Sequence, residues 1–152
     1  ISTHHHVDHA AGLRTFVAAG VKIVIGAPGH KTMKEVFRAS SLLEADELSK
    51  TPRHARIVAV ESVERIGSGP NAIEVRQVPN THAIDMVIAY LPNKKLVFTS
   101  DLFTPGFDFQ IKAHVKSLYD LILSQQLQVE SVAGGHGIVG TFEELKGHAL
   151  KP

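Results

Sequence analysis

The residues with the clearest chemical potential are crowded at the start of the chain, in the run Ser2-Thr3-His4-His5-His6-Val7-Asp8-His9. Successive side chains of an extended segment alternate between two faces, so His4 and His6 are expected to point one way and His5 the other. Asp8 and His9 stand where a helix is predicted to begin, because apolar residues follow them at helical spacing. Imidazole nitrogens and carboxylate oxygens are ligands that zinc accepts. The run therefore predicts a metal site, with His5 expected to pack or to support a neighbouring ligand.

Three further candidate ligands follow the ends of predicted strands. They are His82 in Pro79-Asn-Thr-His-Ala83, Asp101 in Thr99-Ser-Asp-Leu-Phe103, and His136 in Gly134-Gly-His-Gly137. Glycines beside a histidine let the backbone approach an ion closely. Taken singly, a histidine in a loop is usually a surface residue, and an aspartate after a strand is usually a turn or cap residue. Their common position at strand ends is what makes them candidates as a set.

The spacing His4-x-His6-x-Asp8-His9 resembles the His-x-His-x-Asp-His signature of the metallo-β-lactamase-fold hydrolases. That superfamily includes glyoxalase II-like thioesterases, lactonases, alkylsulfatases and the β-lactamases. The three downstream candidates are similar to its later ligand blocks and occur in the same order. The resemblance covers essentially the whole chain and implies two sets of ligands with one shared member: His4, His6 and His82 for a first ion, Asp8, His9 and His136 for a second, and Asp101 bridging both.

The wider pattern from Thr81-His82-Ala-Ile-Asp85-Met to Ser100-Asp-Leu-Phe-Thr-Pro105 resembles a poorly characterised bacterial branch of the superfamily more than the β-lactamases. One class of zinc β-lactamases places a cysteine where this chain has Asp101, which also argues against that subgroup. Ala11 stands where many members have glycine, a departure of little consequence.

The resemblance implies an α/β fold, the four-layer αββα sandwich, in one domain over residues 1–152. The chain has no initiator methionine and opens at what looks like a strand end, whereas members of the superfamily carry a β-rich segment before the motif. The expectation is therefore a fragment that lacks the first part of the N-terminal half of the sandwich. The localisation is left open, with cytoplasmic and periplasmic placements both compatible.

Apolar periodicity and turn residues predict the elements within this fold. A helix over 8–19 between two strands predicts a parallel βαβ unit with a right-handed crossover. Residues 44–56 are polar, and either cover the site and shape substrate choice or form a surface linker. The predicted elements are a helix over 8–19, a strand over 21–25, a helix over 30–41, an antiparallel meander of strands over 57–60, 73–78, 86–91 and 95–99, a helix over 115–125, a strand over 127–133 and a helix over 142–149.

Composition narrows the classes of function. The 152 residues are 43% hydrophobic and 20% charged, with a formal net charge of +1, as in soluble globular proteins. No basic run favours nucleic acid, and no apolar stretch reaches the ~20 residues of a membrane span. The absence of cysteine excludes disulfides and thiolate ligands. The expected partner is a small-molecule substrate, and the oligomeric state stays open.

The ligand pattern and the family resemblance together predict metal-assisted hydrolysis of an ester, thioester, lactone, amide or sulfate-type bond. Two divalent ions, with zinc favoured over iron or manganese, would lower the pKa of a shared water and polarise the oxygen under attack. Asp8 would both bind metal and help to orient the water-derived nucleophile. The sequence has neither a cysteine nor a Gly-x-Ser-x-Gly elbow to supply a protein nucleophile.

Other functions stay open from the sequence. One is an oxidoreductase of the same fold, similar to persulfide dioxygenases, with a single iron on His4, His6 and related ligands. Another is a non-catalytic module that binds a structural metal or none. A nuclease is less favoured, because no basic groove is visible.

The remaining titratable residues near the motifs are harder to interpret. His30, His54, His114 and His148 do not share the ligand pattern and are expected at the surface. Asp85 is expected either to orient a ligand histidine or to cap the strand that follows it.

Overall fold

The computed structural model describes residues 1–39 and 44–151, which form two β-sheets flanked by helices. The smaller sheet pairs β1 with β2 in parallel, and the larger contains six strands in the order β3-β4-β5-β6-β7-β8. The strands are β1 (Lys22–Gly26), β2 (Arg56–Val60), β3 (Val63–Ile66), β4 (Ile73–Gln77), β5 (Val87–Leu91), β6 (Leu96–Ser100), β7 (Ser131–Gly134) and β8 (Val139–Thr141). The helices are α1 (Val7–Ala10), α2 (Leu13–Ala18), α3 (His30–Arg38), α4 (Glu47–Lys50), α5 (Lys112–Ser124) and α6 (Phe142–Leu150).

The alternation of side chains along each strand builds the layers. In β1, Ile23 and Ile25 pack against α1 to α4, whereas Val24 faces the larger sheet and packs with Val75 and Val87. On the other face of the larger sheet, the apolar side chains pack against α5 and α6. The order of layers is helices, small sheet, large sheet, helices, so the predicted αββα architecture is confirmed.

The opening residues join the two sheets. The backbone N–H of Ser2 donates to the carbonyl of Val24 in β1 (2.9 Å), and the N–H of Val87 in β5 donates to the carbonyl of Thr3 (2.8 Å). The segment that leads into the histidine run therefore lies between β1 and β5. The βαβ unit predicted around residues 8–19 is wrong, because no strand precedes α1 among the described residues. The parallel pair of the smaller sheet is β1 with β2, with α3 and α4 in the crossover.

Several predicted boundaries need correction. The helix over 8–19 is two short helices, α1 and α2, and the second ends before Gly20, whose φ is +77°. The helix over 30–41 ends at Arg38, and its predicted last residues, 40 and 41, lie outside the described residues. The strand over 57–60 is not in the meander but pairs with β1, and the strand over 127–133 begins only at Ser131. Strands β3 and β8 had no counterpart in the predicted elements.

The last three strands of the predicted meander and its hairpin are confirmed, and β3 takes the place predicted for the strand over 57–60. Strands β3, β4, β5 and β6 pair antiparallel in sequence order, and residues 92–94 form the turn between β5 and β6. Within residues 44–56, the short helix α4 packs on α2: Leu48 is 3% exposed, and the Arg14 guanidinium contacts Asp46 with an Nε–Oδ2 distance of 2.5 Å. Residues 51–54 lie exposed at the surface. Among residues 1–39 and 44–151, none of the helices has the length and apolar character needed to cross a bilayer.

Candidate metal centre

The seven predicted ligands meet at one edge of the larger sheet. Strands β4, β6 and β7 run in the same direction, because β4 is separated from β6 by one antiparallel neighbour and β7 is parallel to β6. His82, Asp101 and His136 follow the C-terminal ends of these three strands and so emerge at the same edge. The opening segment, held between the sheets, delivers the other four ligands to that edge.

The first group of potential ligand atoms consists of three histidine nitrogens. His4 Nε2 lies 3.1 Å from His6 Nδ1 and 3.1 Å from His82 Nε2. Four-coordinate zinc with Zn–N bonds of about 2.0–2.1 Å separates its nitrogen ligands by roughly 3.3 Å. The observed spacing is close to that value, so the three imidazoles fit a single tetrahedral cation.

The second group combines two carboxylates with two imidazoles. It contains Asp8, His9, Asp101 and His136, whose potential ligand atoms all lie within 4.8 Å of one another. His9 Nε2 is 3.1 Å from Asp101 Oδ1 and 3.3 Å from Asp8 Oδ2. Among the described residues this buried nitrogen has no hydrogen-bond partner. A buried, unpaired imidazole nitrogen that faces two carboxylates is the arrangement expected where a cation binds.

Asp101 lies between the two groups. Its Oδ1 faces His9, and its Oδ2 is 3.4 Å from His82 Nε2 and 3.7 Å from His4 Nε2. One carboxylate thus presents one oxygen to each group, which is the geometry that a bridging ligand requires. The structure brings all seven residues together, and their assignment as metal ligands stays a prediction.

Burial favours the neutral form of two imidazoles of the first group, His4 and His82. Burial, followed by repulsion from His9, lowers the pKa of His4 from 6.5 to about 4, although the Asp101 carboxylate acts in the opposite direction. Burial also lowers the pKa of His82, again against the effect of Asp101. Both imidazoles are therefore neutral near pH 7 and keep a lone pair for a cation.

Two hydroxyl groups support His4 on the side away from the candidate centre, and the sequence predicted neither of them. Thr3 Oγ1 lies 3.2 Å from His4 Nδ1 and 2.8 Å from Ser100 Oγ. When His4 Nδ1 donates to Thr3, its Nε2 presents a lone pair to the centre. Ser100 has a φ of +52° and sits at a register shift between β6 and β7, directly before Asp101. This local distortion redirects the chain at the residue that lies between the groups.

Among the described residues, the carboxylate of Asp85 contacts His5, which is not one of the seven predicted ligands. Its Oδ1 accepts a hydrogen bond from His5 Nδ1 at 2.6 Å, and the residue is 1% exposed. Two glycines make room for it: a Cβ on Gly26 would lie 2.2 Å from the Asp85 carbonyl oxygen, and one on Gly29 would lie 2.4 Å from Asp85 Oδ2. The pair ties the histidine run to the loop that carries His82.

Glycines also allow the loop that carries His136 to pack closely against neighbouring residues. A Cβ on Gly135 would lie 3.1 Å from Asp101 Oδ1, and one on Gly137 would lie 2.4 Å from the Pro105 carbonyl oxygen. Gly137 also has a φ of +86°, which disfavours other residues. These glycines let the loop lie close to the carboxylate of Asp101, and a close approach to an ion stays a prediction.

The surface prediction is wrong for His114. This residue is 7% exposed, and its ring centroid lies 5.1 Å from that of His82. Burial lowers its pKa, and repulsion from His82 adds to the effect. His114 shares the inward face of α5 with Leu118 and Leu121, so helical spacing could have revealed its burial. His54 is exposed as predicted, while His30 and His148 are partly buried.

Comparisons with known proteins show which family the chain belongs to. The family model described as "Metallo-beta-lactamase superfamily" matches residues 1–136. No match was found among curated protein sequences. The DIM-1 metallo-beta-lactamase has a TM-score of 0.69 and 22% identity, with 97% of this chain and 65% of that chain covered. The metallo-beta-lactamase from Pontibacter korlensis has a TM-score of 0.63 and 23% identity, with 98% and 65% covered.

The fold is also similar to a structure described as "Peroxy diiron species of chemotaxis sensor ODP", with a TM-score of 0.69, 13% identity, and 99% of this chain and 69% of that chain covered. At these identities the structural likenesses show the fold alone. The chain spans 64–65% of the length of the two metallo-β-lactamases, DIM-1 and the one from Pontibacter korlensis. Because the family model covers most of the chain and the fold agrees with it, the chain belongs to the metallo-β-lactamase superfamily.

Proposed function

We propose that the protein is a metal-dependent hydrolase that uses a binuclear zinc centre to cleave an ester, thioester, lactone, amide or sulfate-type bond. The observation that carries the proposal is the position of Asp101, with one carboxylate oxygen toward each group of potential ligands. His4, His6 and His82 hold the first ion in this proposal, Asp8, His9 and His136 hold the second, and Asp101 is shared.

The residues around the centre have distinct tasks in this proposal. When bound, a pair of divalent ions would lower the pKa of a water at the centre and polarise the oxygen of the bond under attack. Asp8 is exposed, with 60% of its side chain accessible, and its carboxylate would accept a hydrogen bond from the attacking water. His4 is buried and neutral, so it binds without exchanging a proton near pH 7.

The Asp8→Asn variant tests the role of this carboxylate. The amide retains the size of the side chain but removes its charge, so hydrolysis of activated esters and thioesters is expected to fall by about 10²–10⁴-fold. Asp120→Asn is the matched control, because Asp120 is an exposed aspartate that pairs with Lys116 on α5. Equal turnover by the Asp8→Asn variant and the wild-type protein would contradict the assignment, and absence of turnover in both would favour the non-catalytic module.

An iron-dependent oxidoreductase is the second candidate. The fold likeness to the diiron structure favours it, and histidine and carboxylate ligands suit iron as well as zinc. The two candidates differ in metal and in co-substrate. Iron in the purified protein, together with oxygen consumption and no ester hydrolysis, would support the oxidoreductase, whereas zinc with ester hydrolysis would support the hydrolase.

A further inference from the structure

Large hydrophobic side chains are exposed on the loops that carry the predicted ligands. Val7 in the opening motif is 77% exposed, Ile84 in the β4–β5 connection 74%, and Ile138 in the loop after β7 64%. Isolated exposed apolar residues are ordinary on a protein surface. These three stand out because each lies within two residues of a predicted ligand.

The segment that follows Asp101 adds two aromatic rings. Phe107 is 57% exposed and Phe109 is 84% exposed. The Gln110 side chain closes this segment into a defined turn, since its Nε2 donates to the carbonyls of Thr104 (2.7 Å) and Phe107 (2.9 Å) and its Oε1 accepts from the Thr104 N–H (3.1 Å). The aromatic residues are therefore displayed on an ordered loop.

This aromatic loop, residues 104–110, is connected to elements of both groups of potential ligands. At one side it packs on the loop of the second group, because the N–H of Ile138 donates to the carbonyl of Pro105 (3.2 Å). At the other side it leads into α5, whose His114 ring lies against His82 of the first group. The apolar rim is defined as Val7, Ile84, Phe107, Phe109 and Ile138. It takes residues from each of the four segments that carry predicted ligands.

The sequence segments that carry the predicted ligands offer little positive charge for an anionic substrate group. No lysine or arginine lies within four residues of any of the seven predicted ligands. Arg14, five residues after His9, is bound to Asp46. In residues 102–114 one basic residue, Lys112, is offset by one acidic residue, Asp108. Recognition by the rim is therefore apolar.

We propose that the apolar rim binds an uncharged acyl chain or aromatic ring next to the scissile bond, so that the substrate is an apolar ester, thioester or lactone. This inference rests on the proposed hydrolase function. Water adds its oxygen to the acyl carbon, the acyl–oxygen or acyl–sulfur bond breaks, and the leaving alcohol or thiol takes up a proton. The apolar acyl group remains in contact with the rim during this step.

Straight-chain hydroxamates of two to eight carbons test the inference by binding, independently of turnover. Their head group chelates zinc, so only the chain length varies along the series. Affinity for the zinc-loaded protein is expected to rise roughly two- to fourfold for each added CH₂ that contacts the rim. Phe109→Ser should flatten this dependence without changing the affinity for acetohydroxamate. Leu123→Ser is the control, since Leu123 is 52% exposed near the far end of α5.

Methyl NMR spectra locate the binding in protein with and without zinc. Octanohydroxamate should shift the methyl signals of Ile84 and Ile138 in both forms and leave those of Leu123 in place. An affinity that is independent of chain length, or stronger binding of a chain that ends in an ammonium group, would overturn the inference. Chain-length-dependent binding without ester hydrolysis would refute the hydrolase alone, whereas hydrolysis indifferent to chain length would refute the rim's role alone.

Discussion

At the scale of single residues, the candidate centre depends on contacts that orient His4. The Thr3 hydroxyl contacts the His4 nitrogen that faces away from the centre, and the Ser100 hydroxyl contacts Thr3. Such outer contacts set the tautomer and the ring angle of a metal-binding histidine. Sequence spacing predicts the ligands themselves, but it cannot reveal the contact between Thr3 and Ser100, which are 97 positions apart.

Replacing Thr3 with valine tests this support. The substitution keeps the shape of the side chain but removes the hydroxyl, so zinc affinity is expected to fall by about 10–100-fold. Competition with a chromophoric chelator measures this loss. Thr51→Val, at the exposed end of α4, should leave the affinity unchanged. Unaltered affinity in the Thr3→Val variant would show that His4 needs no such orientation.

The buried His4 also makes the metal-free protein sensitive to acid. Its pKa is about 4 in the folded state and 6.5 in a model peptide, so between these values the unfolded chain binds the extra proton. The free energy of unfolding of the metal-free protein should therefore decrease as the pH falls from about 6.5 to 4, by on the order of 3 kcal/mol. Urea titrations across this range measure it. His54→Gln should keep the same dependence, because His54 is exposed; a flat profile in the wild-type protein would contradict the prediction.

At the scale of elements, the site depends on where strands end and on how closely their loops approach. The ends of β4, β6 and β7 bring three ligands to one edge, and the turn after β1 leaves space for Asp85. The sequence predicted these strands from their β-branched runs. It could not predict the partner of β2, because an apolar run does not specify which strand it pairs with.

The Gly29→Ala variant tests the fit of the turn after β1. The added Cβ would lie 2.4 Å from the buried Asp85 carboxylate, so the variant is expected to lose about 1–3 kcal/mol of stability and to loosen the His5 contact. Gly147→Ala is the contrasting control, since nothing lies within 4 Å of a Cβ there and the residue is inside α6. That variant should gain about 0.5–1 kcal/mol. Thermal denaturation separates the two, and equal stability would contradict the close packing around Asp85.

At the scale of the whole molecule, four layers hold the two halves of the centre together. Residues 2 and 3 hydrogen-bond to both sheets, so the histidine run is fixed to the scaffold that carries His82, Asp101 and His136. The resemblance predicted this architecture correctly. The missed strands β3 and β8 are the two edges of the larger sheet and contain four and three residues, too short to give a clear alternating pattern.

The central claim is that two metal ions share Asp101, and metal content measured by elemental analysis tests it most directly. Wild-type protein should contain two equivalents of zinc, and the Asp101→Ala variant should fall toward one, because the three imidazoles of the first group remain in place. Asp120→Ala should retain two equivalents. One equivalent in both the wild-type protein and the Asp101→Ala variant would contradict a shared carboxylate, and folded wild-type protein that binds no metal would contradict the metal centre itself.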